Sequence, residues 1–140
     1  MHEFYIFVIE NWILSALFLI VFGILLYSFV SQKSSISPNE AVNLFNEQGD
    51  KLLIFDLRPQ DAYSKGHIIN SINLSANDLN KSLEKYLKFK DTPILIYCDS
   101  GMVSSTSSAV FRKKGFTDLK ILRGGMDGWK QENLPIEQKN

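Results

Sequence analysis

The 140-residue sequence has almost no cysteine, since Cys98 is the only one. A single cysteine excludes a disulfide within the chain and any zinc site made of cysteines alone, and it fits a reducing compartment. An excess of charge of one sign is also lacking, because 15 Lys and Arg balance 15 Asp and Glu. Without a basic excess, the composition argues against a nucleic-acid partner.

Basic residues are missing from the first part of the chain, because every Lys and Arg lies at or after Lys33. Within that part, residues 12–30 carry no charge. A helix over this uncharged stretch is long enough to cross roughly 30 Å of hydrocarbon. Apolar side chains occupy all faces of this helix, unlike those of a helix lying on a membrane surface. The basic start and small-residue cleavage site of a signal peptide are absent, and a core helix this long would be unusual beside so small a domain. We therefore predict a transmembrane helix.

The charges that flank the predicted span indicate its orientation. Lys33 follows the span directly and no basic residue precedes it, so the positive-inside tendency predicts an N-terminus outside and a cytoplasmic globular part. A reduced Cys98 agrees with this assignment. The predicted organisation is a short N-terminal segment (1–11), the transmembrane helix (12–30), a polar linker (31–36), a globular domain (37–136) and a tail (137–140).

The globular part alternates apolar runs of strand length with helical segments. Its first helix begins with Ser37 as cap, Pro38 at the first position and Glu40 completing a capping box, and it ends at Gly49. Strands alternating with helices predict an α/β fold with a central parallel sheet flanked by helices. The predicted strands are 51–56, 72–74, a run ending at Cys98, and 119–122. Further helices are predicted at 78–87, from the region of Ser104 to Gly115, and at 126–132, with a loop or short helix around Gly66.

The segment around Cys98 is the strongest candidate site. An apolar strand ends there, a polar loop with Gly101 follows, and a helix then begins near Ser104. Ligands of α/β proteins bind beyond the carboxyl ends of the strands, and a helix start offers free N–H groups and a positive dipole end. A cysteine in that position can be held as the nucleophilic thiolate. The alternative is a small buried residue at a strand end, but the loop context favours catalysis.

Four short motifs follow one another between residues 37 and 135, and together they resemble a single-domain rhodanese, or sulfurtransferase. With the predicted membrane helix, the chain further resembles the membrane-tethered bacterial rhodaneses of the YibN type, which implies a single-pass protein of the bacterial inner membrane. In order, the motifs are Asp56-Leu57-Arg58; Gly66-His67-Ile68 with Ser71-Ile72-Asn73; Cys98-x-x-Gly101-x-x-Ser104; and Gly124-Gly125-x-x-x-Trp129 with Leu134-Pro135.

The resemblance implies a mechanism centred on Cys98. The thiolate takes sulfur from a donor, becomes a persulfide and passes that sulfur to a thiol or protein acceptor. Neither a metal nor an organic cofactor is implied. A membrane-protein partner is a further expectation, with contact to the membrane through residues 12–30. The backbone cradle implied for the sulfur consists of Asp99, Ser100, Gly101, Met102, Val103 and Ser104.

Two residues depart from the pattern of active rhodaneses. Asp99 stands where Arg or Lys often follows the cysteine, and Val103 stands where Arg often precedes the final serine of the loop. A carboxylate disfavours the thiolate and repels anionic donors, while the missing arginine removes a binding group for oxyanions. We predict poor use of thiosulfate and better use of a persulfide. The resemblance also argues against phosphatase activity, because phosphatases of this fold hold phosphate with an arginine in a longer loop, and neither Val103 nor Ser104 is Arg.

The same two departures keep a second hypothesis open, namely a catalytically weak or inactive interaction module at the membrane. Around the site, Arg58 is expected either to flank the active loop or to pair with Asp61 or another local carboxylate. Asp56 is expected to bond loop N–H groups, and His67 to be a hydrogen-bonded structural residue. The residues expected only in turn and core are Gly124, Gly125 and Trp129.

Overall fold

The computed structural model describes residues 1–32 and 34–138, with side chains for 1–27 and 34–138. The chain divides into two compact units, residues 1–33 and 34–140.

The N-terminal unit consists of two helices, α1 (His2–Glu10) and α2 (Trp12–Gln32). In the part of the chain whose side chains are described, no single helix is long and apolar enough to cross a membrane. His2–Glu10 and Trp12–Tyr27 meet these criteria together, by length and composition only, as a pair bent by 89°. The transmembrane helix over 12–30 stays a prediction.

The second unit is built on a parallel sheet of five strands in the order β1-β6-β5-β2-β4, which confirms the predicted α/β class. A separate antiparallel pair joins β3 to β7, with His67 opposite Glu137. The strands are β1 (Ser35–Ile36), β2 (Leu53–Asp56), β3 (His67–Ile68), β4 (Ser71–Asn73), β5 (Ile94–Tyr97), β6 (Leu119–Leu122) and β7 (Ile136–Glu137).

Apolar clusters cover both faces of the sheet. Successive side chains of a strand point to opposite faces, and in β5 this sends Ile94 and Ile96 into one cluster and Leu95 and Tyr97 into the other. All four are fully buried. Burial on both faces explains why the strand is apolar without alternation. The helices of this unit are α3 (Pro38–Gln48), α4 (Gln60–Lys65), α5 (Leu79–Ser82), α6 (Met102–Lys113) and α7 (Gly125–Gln131), with 3₁₀ turns at Gly49–Lys51, Ala76–Asp78 and Leu83–Phe89.

The capping box that opens α3 is present as predicted. The Glu40 N–H donates to Ser37 Oγ, and the Ser37 N–H donates to the Glu40 carboxylate. This backbone hydrogen bond, with that of the Ser37 side chain, lowers the pKa of Glu40. The cap fixes where α3 begins, directly after the short strand β1.

The structure differs from the sequence-based prediction in four short elements. One is β3 (His67–Ile68), in the segment predicted as a loop or short helix around Gly66. The linker predicted over 31–36 ends in β1, because Ser35 and Ile36 pair with Ile121 and Leu122. The predicted boundary between domain and tail falls inside β7. The helix predicted over 78–87 is α5 followed by a 3₁₀ segment, in which Leu83, Tyr86 and Phe89 recur every three residues, as that helix type requires.

Candidate active site

Cys98 lies directly after β5, at the carboxyl edge of the sheet and between strands β2 and β6. Its side chain is 3% exposed. A three-residue loop then leads into α6, whose cap residue Gly101 has φ +94°. That left-handed conformation suits glycine, and it lets the chain turn back so that the start of α6 faces the cysteine.

Three donors converge on the sulfur of Cys98. The Gly101 N–H donates to Sγ at 3.1 Å, the Ser104 N–H at 3.4 Å and the Ser104 hydroxyl at 3.0 Å. Such donors favour a negatively charged sulfur, as does the positive end of the α6 dipole. The N–H groups of Met102 and Val103, also in the first turn, have no partner within an α-helix. They therefore remain available to a bound sulfur species.

The residues predicted to form the cradle separate into two groups. Gly101 and Ser104 donate to Sγ, and Ser104 is fully buried. The side chains of the other four are exposed around the entrance to the site rather than directed at the sulfur: Asp99, Ser100, Met102 and Val103.

The Gly124-Gly125 motif supports the loop from the other side. The Met126 N–H donates to the Cys98 carbonyl at 2.8 Å and the Asp127 N–H to the Asp99 carbonyl at 3.0 Å. This contact needs glycine, because a Cβ at Gly125 would lie 2.2 Å from the Cys98 carbonyl oxygen. The sequence indicated only a turn here, and the proximity to the loop is visible only once β5 and β6 are neighbours.

Arg58 connects the Asp56-Leu57-Arg58 motif to the same loop. Its side chain is buried and bonds the Asp56 carboxylate through Nε and Nη2, while Nη2 also donates to the Gly66 carbonyl. Nη1 lies 3.7 Å from Oδ1 of Asp99. Burial alone would lower the pKa of Arg58, but the hydrogen bonds and charge of Asp56 outweigh it and raise that pKa. Both expectations for Arg58 thus apply, with Asp56 rather than Asp61 as the local carboxylate. The Arg58 N–H donates to Asp56 Oδ1 as well, in keeping with the role expected of Asp56.

Tyr97, which precedes the cysteine, has a function that the sequence analysis missed. The Ile68 N–H donates to its hydroxyl at 3.1 Å, and that hydroxyl shares a hydrogen bond with the Ser71 hydroxyl at 3.0 Å. Burial, with a contribution from the negative charge of Asp56, raises the pKa of Tyr97. The neutral phenol therefore links β5 to the end of β3 and the start of β4. A tyrosine inside an otherwise aliphatic strand was the available signal.

His67 is placed as a structural residue. It is buried, its Nδ1 lies 2.9 Å from the Tyr63 carbonyl oxygen, and its ring stacks on the Tyr63 ring at 3.9 Å between centroids. Across residues 1–32 and 34–138, no group of three or more His, Cys, Asp or Glu side chains is arranged to hold a metal ion.

The site defines the class of protein: an α/β domain with a cysteine at the carboxyl edge of a parallel sheet, hydrogen-bonded by the start of the following helix. A family model of this class matches the chain. The model described as Rhodanese-like domain covers residues 37–132. The chain belongs to this family.

Relatives agree with this assignment. The uncharacterized protein YibN of Escherichia coli (strain K12) is 34% identical over 110 residues, covering 78% of this chain and 76% of the relative. The thiosulfate sulfurtransferase GlpE of Coxiella burnetii is 35% identical over 95 residues, covering 68% and 85%. The crystal structure of the BH2092 protein from Bacillus halodurans has a TM-score of 0.69 at 24% identity over 83% of this chain and 85% of that one, a likeness of fold alone.

Proposed function

We propose that this protein is a membrane-tethered sulfurtransferase that carries sulfane sulfur as a persulfide on Cys98. The observation that carries the proposal is the set of three donors, from Gly101 and Ser104, on the Cys98 sulfur. Such a set stabilises the thiolate that must attack the donor and the thiolate that must leave afterwards. Kinship with a thiosulfate sulfurtransferase supports the reaction class.

In the first step, the Cys98 thiolate attacks the outer sulfur of a donor persulfide in its protonated form, and that proton stays on the transferred sulfur. The new bond joins Sγ to that sulfur, and the bond between the two donor sulfurs breaks. The electron pair of the broken bond leaves with the donor thiolate, so no external oxidant or reductant is needed. The N–H groups of Met102 and Val103 suit the outer sulfur, because they lie in the same first turn as the donors to Sγ.

In the second step, an acceptor thiolate attacks the outer sulfur of the Cys98 persulfide. The bond from Sγ to the outer sulfur breaks, and its electron pair returns to Sγ as the thiolate. Gly101 and Ser104 then donate hydrogen bonds to the same negative charge on Sγ that they stabilised before the first step. The cysteine is regenerated, and the cycle needs neither a metal nor an organic cofactor.

The donor class follows from the residues at the entrance. Asp99 presents an exposed carboxylate, and Val103 supplies no cation where an oxyanion would need one. A persulfide carried by a thiol or a partner protein is therefore the preferred donor over thiosulfate. Exposed Met102 and Val103 suit an apolar carrier next to its sulfur.

The tether is residues 12–30, with the N-terminus outside and the rhodanese-like domain in the cytoplasm of a bacterial cell. The absence of charge in 12–30 and the position of Lys33 support it, as do the exposed apolar side chains of Trp12–Tyr27. A membrane protein that uses or supplies the sulfur is the expected partner. Protease added to inverted inner-membrane vesicles should digest the domain, whereas protease added to spheroplasts should not. Digestion in spheroplasts alone would contradict this topology.

The activity is tested with the full chain in detergent. A small-molecule persulfide is the donor, a low-molecular-weight thiol is the acceptor, and sulfur delivered to the acceptor is measured for wild type and Cys98→Ser. Delivery that exceeds the uncatalysed rate and depends on Cys98 is expected. A folded wild-type protein that delivers no more sulfur than Cys98→Ser would contradict the proposal and favour the alternative of an interaction module.

A further inference from the structure

The hydrogen bonds of Arg58 leave one of its three nitrogens directed at the active loop. Nε and Nη2 are committed, since they contact the Asp56 carboxylate and the Gly66 carbonyl at 2.6–3.1 Å. Nη1 makes no hydrogen bond with the described residues, and its nearest carboxylate oxygen is Oδ1 of Asp99 at 3.7 Å. The guanidinium is thus held by Asp56 and Gly66, and its Nη1 edge makes only the long ion pair with Asp99.

That edge lies beside the residues that flank Cys98 in the chain. The guanidinium carbon is 5.7 Å from the centroid of the Tyr97 ring, and Asp99 is the next residue but one, so Arg58 contacts both neighbours of Cys98. Among the described residues, no buried side-chain nitrogen or oxygen lacks a hydrogen-bond partner. Nη1 has no such partner, which means that it retains contact with solvent.

We propose that Arg58 and Asp99 form a specificity-determining pair, in which Nη1 of Arg58 is an anion-binding group that the Asp99 carboxylate occupies. This inference rests on the proposed function and names the substrate class. Asp99 is attached to the loop, so an anionic donor must displace an internal competitor before it reaches Nη1. Uncharged donors face no such competition. The pair therefore excludes donors with a negative charge beside the outer sulfur, such as thiosulfate.

The pair is experimentally separable because its two members differ in burial. The Asp99 side chain is 65% exposed and that of Arg58 is 4% exposed. An exposed ion pair contributes little to stability, so Asp99→Asn should fold like wild type. Asp127 provides a matched control. Its side chain is an exposed carboxylate close to the loop, since its backbone N–H donates to the Asp99 carbonyl. The ion pairs of Arg58, however, are with Asp56 and Asp99 rather than with Asp127.

The test compares alkylation of Cys98 by iodoacetate, an anion, with alkylation by iodoacetamide, its uncharged analogue. Intact-mass measurement follows each reaction and gives its rate constant. The quantity compared is the rate constant for iodoacetate divided by that for iodoacetamide, because any change in the thiolate fraction of Cys98 affects both equally and cancels in this ratio. We expect Asp99→Asn to raise the ratio about tenfold, as removal of a charge that competes for a nearby cation near a protein surface would. Asp127→Asn should raise it less than about twofold. Equal effects of the two substitutions would overturn the proposal.

The contribution of Arg58 is tested by repeating Asp99→Asn in an Arg58→Lys background. Lysine keeps a positive charge for Asp56 but has no second nitrogen to present at the entrance. We expect the gain from Asp99→Asn to fall to about twofold in this background, because only the direct, screened repulsion by the carboxylate remains, and a gain of unchanged size would overturn the proposal. Both reagents modify Cys98 whether or not it accepts sulfur. A failure of the proposed sulfur transfer would thus leave this result readable.

Discussion

The active-site loop has two halves that differ in burial and bonding. The inner half is Cys98, Gly101 and Ser104, in which the sulfur and its donors are enclosed and Ser104 is fully buried. The outer half is Asp99, Ser100, Met102 and Val103, in which Met102 is 76% exposed. The inner half contains the residues that match the rhodanese pattern, and the outer half contains the departures.

The contrast separates two requirements that a catalytic loop must meet. Chemistry at sulfur needs fixed donors at short distances in a site that excludes water. Choice of donor needs side chains that a substrate can touch on arrival. Under the proposed function the two requirements fall on different residues, so a substitution in one half should leave the property of the other half nearly intact.

The largest effect is expected for Gly125→Ala, which would displace the backbone of Cys98 and Asp99. A Cβ there would lie 2.2 Å from the Cys98 carbonyl oxygen, at a residue with φ +56°. Strain and overpacking should lower the free energy of unfolding by roughly 3 kcal/mol and reduce sulfur transfer to background. Urea unfolding and the transfer assay measure the two effects. Gly49→Ala, with φ +53° and open space around it, should cost only about 1 kcal/mol and leave transfer intact. Equal losses in both variants would refute the steric argument.

Ser104→Ala removes one donor of the inner half without crowding it. The hydroxyl donates to Sγ at 3.0 Å, and a hydrogen bond to a charged group is worth about 1.5–3 kcal/mol. The rate of sulfur uptake should fall roughly ten- to a hundredfold, measured by stopped reactions and mass spectrometry. Ser105→Ala is the matched control, because that hydroxyl bonds the Gly101 carbonyl instead. A similar loss in Ser105→Ala would indicate that the helix start, rather than the donor to sulfur, matters.

Val103→Arg changes the outer half only. Val103 is 46% exposed, and an arginine there would offer paired N–H donors to an oxyanion. Sulfur uptake from thiosulfate should rise about tenfold, as one new charged contact allows, while uptake from an uncharged persulfide should change little. Competition between the two donors in one reaction gives the ratio. Equal gains with both donors would contradict the assignment of donor choice to the outer half.

Tyr97→Phe should leave donor choice unchanged and affect stability. Its hydroxyl bonds to Ile68 and Ser71, so its loss should cost about 1–3 kcal/mol. Because folding raises the pKa of Tyr97, its neutral form stabilises the protein fully below pH about 10. That contribution is lost as the pH rises further. The free energy of unfolding, measured by urea unfolding between pH 8 and 11, should therefore decline less steeply with pH in Tyr97→Phe than in wild type. An identical slope in both proteins would show that Tyr97 is not the linked group.

Much of the fold followed from the sequence because its elements have local causes. The continuous apolar runs marked β2, β5 and β6, and the capping box at Ser37 marked the start of α3. Two-residue strands have no such pattern, so β1 and β7 emerged only from their pairing with β6 and β3. The segment Leu83–Phe89 was predicted as α-helix because leucine spacing alone does not distinguish α from 3₁₀ geometry.

The site was predictable only in part for a similar reason. Cys98, Gly101 and Ser104 lie within seven residues, so their spacing in the chain already implies their proximity. The contacts of Arg58 with Asp99, and of Gly125 with the Cys98 carbonyl, join residues from different strand ends. Such contacts depend on strand order, which periodicity does not encode. The sequence accordingly indicated the nucleophile but not what supports its loop.

The most direct test of sulfur transfer through Cys98 is mass spectrometry of the peptide that contains it, after the full-length protein meets an uncharged persulfide or thiosulfate. We expect one added sulfur atom on Cys98 with the persulfide, much less with thiosulfate, and recovery of thiosulfate loading in Asp99→Asn. No added sulfur from either donor in a folded protein would contradict sulfur transfer through the inner half. Equal loading by both donors in wild type would contradict donor choice by the outer half.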